Sequence, residues 1–252
     1  MSNHDLRKRR LPRIPMTGAT LKIYGCITMI LYSVSMSVIQ YGLLHTDAYS
    51  NLQLHELLAA NPELMIVSSW GAVLQLLGGL AVPVFAFLLV EGFRHTRSFK
   101  NYILRMLLFA LISEVPFDLA MSGSFFDFTR QNAMFTLVIC LVMLYGIRTF
   151  AAGKLAQVAI VGAAVLWCAL LKTDFGFGMV LLTAAYQLFY DNRQRKLTLG
   201  CIISILYVTA PLSTYAISKY EGERGNIRWP LAWYCLYPLH LCILAVIVHF
   251  LR

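Results

Sequence analysis

Residues 80–119 read LAVPVFAFLLVEGFRHTRSFKNYILRMLLFALISEVPFDL. Two apolar runs flank a short basic turn with Arg94, Arg97 and Lys100, and Arg105 follows just beyond it. With the first run extended back to 65, as 65–90, and the second taken as 103–121, each has about the length a helix needs to cross the hydrocarbon core of a bilayer, roughly 20 residues. In water the pair would expose more apolar surface than a small core can hide. In lipid the runs are solvated and the basic turn stays outside. The segment therefore reads as two membrane helices joined by a polar turn.

The rest of the chain extends this pattern. Of 252 residues, 59% are hydrophobic and 13% charged, against about 25% charged in soluble domains. Apolar runs recur at 21–44, 65–90, 103–121, 133–149, 155–171, 175–190, 197–218 and 230–251. The fold class expected is an all-α integral membrane protein, a polytopic bundle of about eight transmembrane helices. Residues 1–20 form a basic tail, and 21–252 form a single transmembrane domain. The run after the tail is too long for a signal h-region, so it reads as the first span. The FGFG at 175–178 predicts an irregular outer end for the sixth span, which backbone at that depth tolerates only under cover of protein or a wet cavity.

Basic residues orient the bundle. With eight crossings, 16 of the 21 Lys and Arg residues fall on the N-terminal side. Only Arg130, Lys172, Lys219, Arg224 and Arg228 fall opposite. The positive-inside rule then puts both termini in the cytoplasm of a multi-pass cell-membrane protein. The net charge of +9 sits in short clusters between apolar runs, which excludes nucleic acid as the partner; the lipid bilayer is the partner expected. The outer segment 45–64 has no basic residue and predicts a short interfacial helix, with Asn51 as its cap and Pro62 near its end. Six cysteines lie scattered in apolar runs without a CxxC pair, so no metal site is expected.

Ionisable groups at membrane depth cost at least about 2.5–3.5 kcal/mol each, which makes them functional candidates. Glu114 and Asp118 lie four apart on one helical face, with Pro116 between them. Asn132 and Thr136 open the fourth span, and Asp174 precedes the sixth. Trp233, Tyr237 and His240 share helical spacing in the last. All fall between the membrane centre and its outer edge, and they are expected to converge on one polar pocket, either a reaction or ligand site or a structural hydrogen-bonded knot. His240 is the one histidine deep in a span, and a neutral imidazole there serves either as a general base or as a helix–helix bond. On the inner side, EGFRHTR (91–97) gathers two Arg, a His and a hydroxyl. Such a turn suits the phosphates of a cofactor, lipid headgroups, or simple anchoring.

Several of these stretches together resemble the TraX family of membrane acetylases. They are LKIYGCITMI (21–30), the segment 80–119, QNAMFTL (131–137), TDFGFGMVLL (173–182) and WYCLYPLHLCIL (233–244). The resemblance implies a helical membrane fold that passes an acetyl group from cytosolic acetyl-CoA to an amine or hydroxyl. It carries catalytic candidacy to His240, Glu114, Asn132 and Asp174, and cofactor binding to Glu91, His95, Arg97 and Arg105; Pro116 and Thr136 match the pattern as well. Two positions depart from it. Members usually carry an Asp-His pair where this chain has Tyr32-Ser33, and Gly-Arg where it has Gly78-Gly79. Either His240 takes over as the base, or the scaffold binds a lipid, peptide or partner protein without catalysis. A small-solute transporter is a third reading, disfavoured by the lack of internal repeats.

Overall fold

A computed structural model describes residues 16–150, 153–226 and 231–252. The basic residues at 7–13, and Arg228, lie outside the described residues. Helix α1 (Gly18–Val34) is capped by Thr17 and continues as π-helix over Ser35–Leu43. The interfacial helix α2 (Asn51–Ala60) forms, but its cap is Ser50, which makes a reciprocal capping box with Gln53. Pro62 lies two residues past the end of α2, as expected, and opens α3 (Pro62–Gly79), where its missing N–H costs nothing. A break at Leu80 leads into α4 (Ala81–His95). Then follow α5 (Phe99–Met121), α6 (Ala133–Thr149), α7 (Lys154–Leu170), α8 (Gly176–Leu188), α9 (Arg193–Ser204), α10 (Pro211–Ser218) and α11 (Ala232–Leu251). Among the described residues the regular structure is all helical, with only isolated bridges at Met16–Tyr220 and Gln131–Thr173.

Three of these stretches are long and apolar enough to cross a membrane: Gly18–Leu43, Pro62–His95 and Leu231–Leu251. Helices α6, α7 and α8 are equally apolar but shorter. The bundle is apolar outside as well as inside. Leu104, Leu108 and Leu111 of α5 are 61%, 52% and 57% exposed. Large apolar surfaces of this kind are not left facing water, and lipid is the solvent that accommodates them. The core proper is built from the faces of α4, α5, α6 and α8, with Phe87, Phe93, Leu141, Leu144 and Tyr186 fully buried.

Close backbone approach locks α1 onto α3. A Cβ on Gly78 would lie 2.3 Å from Tyr32 Cβ, so only glycine fits. The irregular outer end expected at 175–178 is present, with Phe175 in the left-handed region at φ 58° and α8 beginning one residue later.

The run 197–218 is not one continuous helix. Helix α9 stops at Ser204, a single 3-10 turn spans Ile205–Tyr207, Val208 takes φ 56°, and Pro211 starts α10 in the return direction. The two feet of this hairpin meet where Arg193 donates to the Ser218 carbonyl. Its tip is held by Tyr207 Oη donating to the Phe175 carbonyl (2.9 Å) and by Thr209 Oγ1 donating to the Leu76 carbonyl. Segment 220–224 then returns to the start of α1, where Gly18 N donates to Glu223 O (2.8 Å) and Ala19 N to Arg224 O (3.1 Å). At the far end, Arg252 pairs with Asp47 (2.8 Å) and reaches the Tyr41 carbonyl (3.4 Å). The first and last described residues therefore lie at opposite ends of the bundle.

Candidate functional site

Most of the polar residues at membrane depth gather, in two linked knots rather than one pocket, at the level of α1's midpoint and beyond. Asn132 caps α6 through Oδ1, which accepts from Met134 N (2.9 Å). That fixes its amide, which donates to Glu114 and to the Ala110 carbonyl (3.0 Å). The second carboxylate oxygen of Glu114 is buried without a hydrogen-bond partner among the described residues. Thr136 donates to the Asp174 carbonyl at 2.6 Å. The Asp174 carboxylate pairs with Arg130, whose guanidinium also donates to Tyr32 Oη at 3.1 Å. Backbone bonds between Gln131 and the 172–174 turn stitch the ends of α6 and α8 beneath this pair. Asp118 stands apart. It accepts from Asp127 N (2.9 Å) and holds the 122–131 loop, while bonds from Thr129 keep the Asp127 carboxyl below its usual range.

His240 belongs to the second knot. Its Nδ1 lies 3.1 Å from the Leu236 carbonyl and its Nε2 lies 3.1 Å from Ser33 Oγ. A carbonyl only accepts, so Nδ1 carries the proton and the Nε2 lone pair receives the serine hydroxyl. The imidazole packs edge-on against Tyr237, with ring centroids 5.3 Å apart. The neighbour the histidine finds is therefore Ser33, and no direct bond joins it to Glu114 or Asn132 among the described residues. Tyr32 and Ser33, adjacent on α1, tie the Arg130–Asp174 knot to the histidine.

The inner-turn candidates separate. Arg97 and Arg105 line a cleft of about 410 Å³ together with Thr96, Ser98, Asn101 and Leu104. His95 is tied by Nδ1 to its own helix at Glu91 O (2.9 Å). Glu91 is buried and turns away from the cleft, accepting from Tyr220 Oη at 3.4 Å. There Lys196 lies over the Phe87 and Tyr190 rings, and Arg94 stacks on Tyr190 at 3.8 Å. Glu91 thus braces the hairpin side of α4, while the exposed His95 folds back on its own helix, and neither lines the cleft. No group of three His, Cys, Asp or Glu among the described residues is placed to hold a metal ion.

Sequence reasoning missed Arg130 and Ser33 as parts of the site. Arg130 counted only as an outer charge, although a cation two residues from Asn132 with Asp174 in reach is the natural counter-ion. Gly79 has a physical explanation. A Cβ there would lie 3.0 Å from the Tyr207 carbonyl, so the hairpin tip occupies the space an arginine would need.

A helical bundle with membrane-length helices, an apolar outside and a buried polar network is the build of a membrane protein. The chain belongs to the TraX protein family, whose pattern matches residues 18–248. It is also similar to the probable fimbrial assembly protein FimC, serogroup H1, of Dichelobacter nodosus, at 25% identity over 211 residues covering 71% of this chain and 84% of that protein. No solved structure matches it.

Proposed function

We propose that this TraX-family protein is a multi-pass membrane acetyltransferase, taking acetyl from coenzyme A at its basic end and delivering it to an amine or hydroxyl acceptor. The observation that carries this reading is the cleft at the α4–α5 turn. It is lined by Arg97 and Arg105 together with Thr96, Ser98 and Asn101, and Arg105 Nε donates to the Asn101 carbonyl at 3.1 Å. Paired arginines with neutral donors match phosphate geometry. Beyond the cleft, His240 holds a neutral Nε2 lone pair in a dry setting, the state a general base needs. Glu114, Asn132 and Asp174 position the surrounding helices instead of passing protons to it. The name of the Dichelobacter relative points to a fimbrial or pilus subunit as the acceptor class.

The test is thermal stability of the purified protein with acetyl-CoA. A ligand of the folded state at a hundredfold excess over its dissociation constant adds about 2.7 kcal/mol, which for a chain of this size raises Tm by roughly 5–10 °C. Arg97→Ala is expected to lose most of that shift. No shift in the native protein would refute the proposal. A second reading, a catalytically silent relative that holds a lipid or peptide, is favoured by Tyr32, which seals the Arg130–Asp174 pair where the family's Asp-His pair would stand. It predicts stabilisation by neither coenzyme A nor its acetyl ester.

The topology that goes with this reading has seven crossings and one returning hairpin, α9–α10. Lys219 and Arg224 join the N-terminal end, and Arg252 moves to the other. Among the described residues only Arg130, Lys172 and Arg252 are then basic at the outer end, and Arg130 and Arg252 are ion-paired. The positive-inside asymmetry is sharper than for eight crossings. A reporter enzyme active only outside the cytosol, fused after Arg252, is expected to be active, and the same reporter fused at Gly222 inactive. The opposite pattern would restore the eight-span arrangement.

A further inference from the structure

Ser33 is a helical hydroxyl whose proton goes to a side-chain base, whereas Ser35, Thr136 and Ser213 give theirs to backbone carbonyls of neighbouring segments. Thr28, Ser37, Ser113 and Ser204 each donate to a carbonyl of their own preceding turn, the resting state of a hydroxyl inside a helix. Ser33 instead points across the bundle and gives its proton to His240 Nε2 at 3.1 Å. The imidazole is held in the accepting tautomer from behind by the Leu236 carbonyl. Both residues are buried, at 5% and 6% exposure, so water does not compete for the bond. Two residues on, α1 opens into nine residues of π-helix, a conformation rare at such length and associated with functional sites. Hydroxyl, base and a third group that orients the base together form the arrangement of an activated nucleophile.

The pair is within range of the cleft. Tyr234 stacks on Phe109 with centroids 5.4 Å apart, one helical turn beyond Arg105. His240 lies six residues further along α11, about 9 Å of helix rise. The pantetheine arm of a coenzyme anchored by its phosphates at Arg97 and Arg105 spans that separation.

We infer that Ser33 is the acyl carrier of this protein, activated by His240, so that transfer proceeds through an O-acetyl-serine; this rests on the acetyltransferase reading above. Ser33 Oγ attacks the thioester carbonyl carbon while His240 Nε2 takes the hydroxyl proton. The C–S bond breaks, and the sulfur leaves with that proton as free coenzyme A. In the second half an amine or hydroxyl acceptor attacks the ester carbon, His240 takes its proton, and the proton returns to Ser33 Oγ as the C–O bond breaks. The serine thus replaces direct attack by the acceptor with two steps that one base serves.

The experiment uses the full chain in detergent with acetyl-labelled coenzyme A and no acceptor. After denaturation, label is expected on the peptide bearing Ser33, released by hydroxylamine. Ser33→Ala should cut it at least tenfold, and Ser33→Cys should carry it as a thioester. His240→Gln should slow labelling about a hundredfold, the size of a lost general base. Thermal stabilisation by acetyl-CoA, measured on the same samples, shows that each variant is folded and binds. Stabilisation of the native protein without label on Ser33, or equal label in Ser33→Ala, overturns the serine carrier and leaves the acetyltransferase reading intact. No stabilisation of the native protein overturns both.

Discussion

An Arg130→Ala protein is expected to lose about 3–5 kcal/mol of stability, the cost of leaving a buried charge without its partner. Asp174 is 8% exposed, and its carboxylate has Arg130 as its ion-pair partner. Removing the guanidinium strands that carboxylate between α6 and α8 and also frees the Tyr32 hydroxyl on α1. Three helices lose their common tie. The double replacement Arg130→Met with Asp174→Asn removes both charges and is expected to cost much less than Arg130→Ala alone, since an uncharged pair of similar volume avoids the desolvation penalty. Thermal unfolding in detergent, compared across the three proteins, checks this. A loss below about 1 kcal/mol in Arg130→Ala would place the pair in water, with little net worth.

The second large effect is at the hairpin tip. A Cβ on Gly178 would lie 2.3 Å from Tyr207 Oη and 2.6 Å from the ring carbon Cε2, so Gly178→Ala must push the tyrosine ring out of its seat. The hydroxyl then loses its bond to the Phe175 carbonyl. Overpacking of this kind costs about 1–3 kcal/mol. Combined with Tyr207→Ala, the glycine substitution should cost little more than Tyr207→Ala alone, because the residue it collides with is gone. A double-mutant cycle on Tm measures that coupling. Strict additivity would mean that the tip does not rest on α8.

Both predictions concern features that the apolar pattern hides. Composition and run length made the helical membrane fold legible, and α6 starts and ends where its run does. The hairpin was not legible because 197–218 is as long and apolar as a crossing. What breaks it is Val208 in a strained backbone region, between Tyr207 and Thr209, which seat on Gly79 and Gly178, with Pro211 following. The charges held a clue. Lys219 and Arg224 are unusual basic residues for an outer segment, and they sit instead beside the start of α1.

The site was half legible. Expense in lipid marked Glu114, Asn132, Asp174 and His240, and those residues gather. It could not say how they pair. Asn132, a catalytic candidate by resemblance, caps α6 through its side-chain oxygen. Glu91 and His95 match the family pattern, yet backbone direction at the end of α4 turns Glu91 toward Tyr220. Ser33 first looked like a loss, because an isolated hydroxyl is a poor nucleophile. The partner that changes its chemistry lies 207 residues away, a distance only the fold closes.

The central claim is that acetyl-CoA enters at the end that holds Arg97 and Arg105, the same end as the start of α1. The most direct test is binding of labelled acetyl-CoA to sealed membrane vesicles of defined orientation. Inside-out vesicles should bind it in a saturable way, and binding should fall with salt and be lost in an Arg97→Ala/Arg105→Ala double variant; right-side-out vesicles should not bind it. Binding confined to right-side-out vesicles, or unchanged in the double variant, would contradict the account.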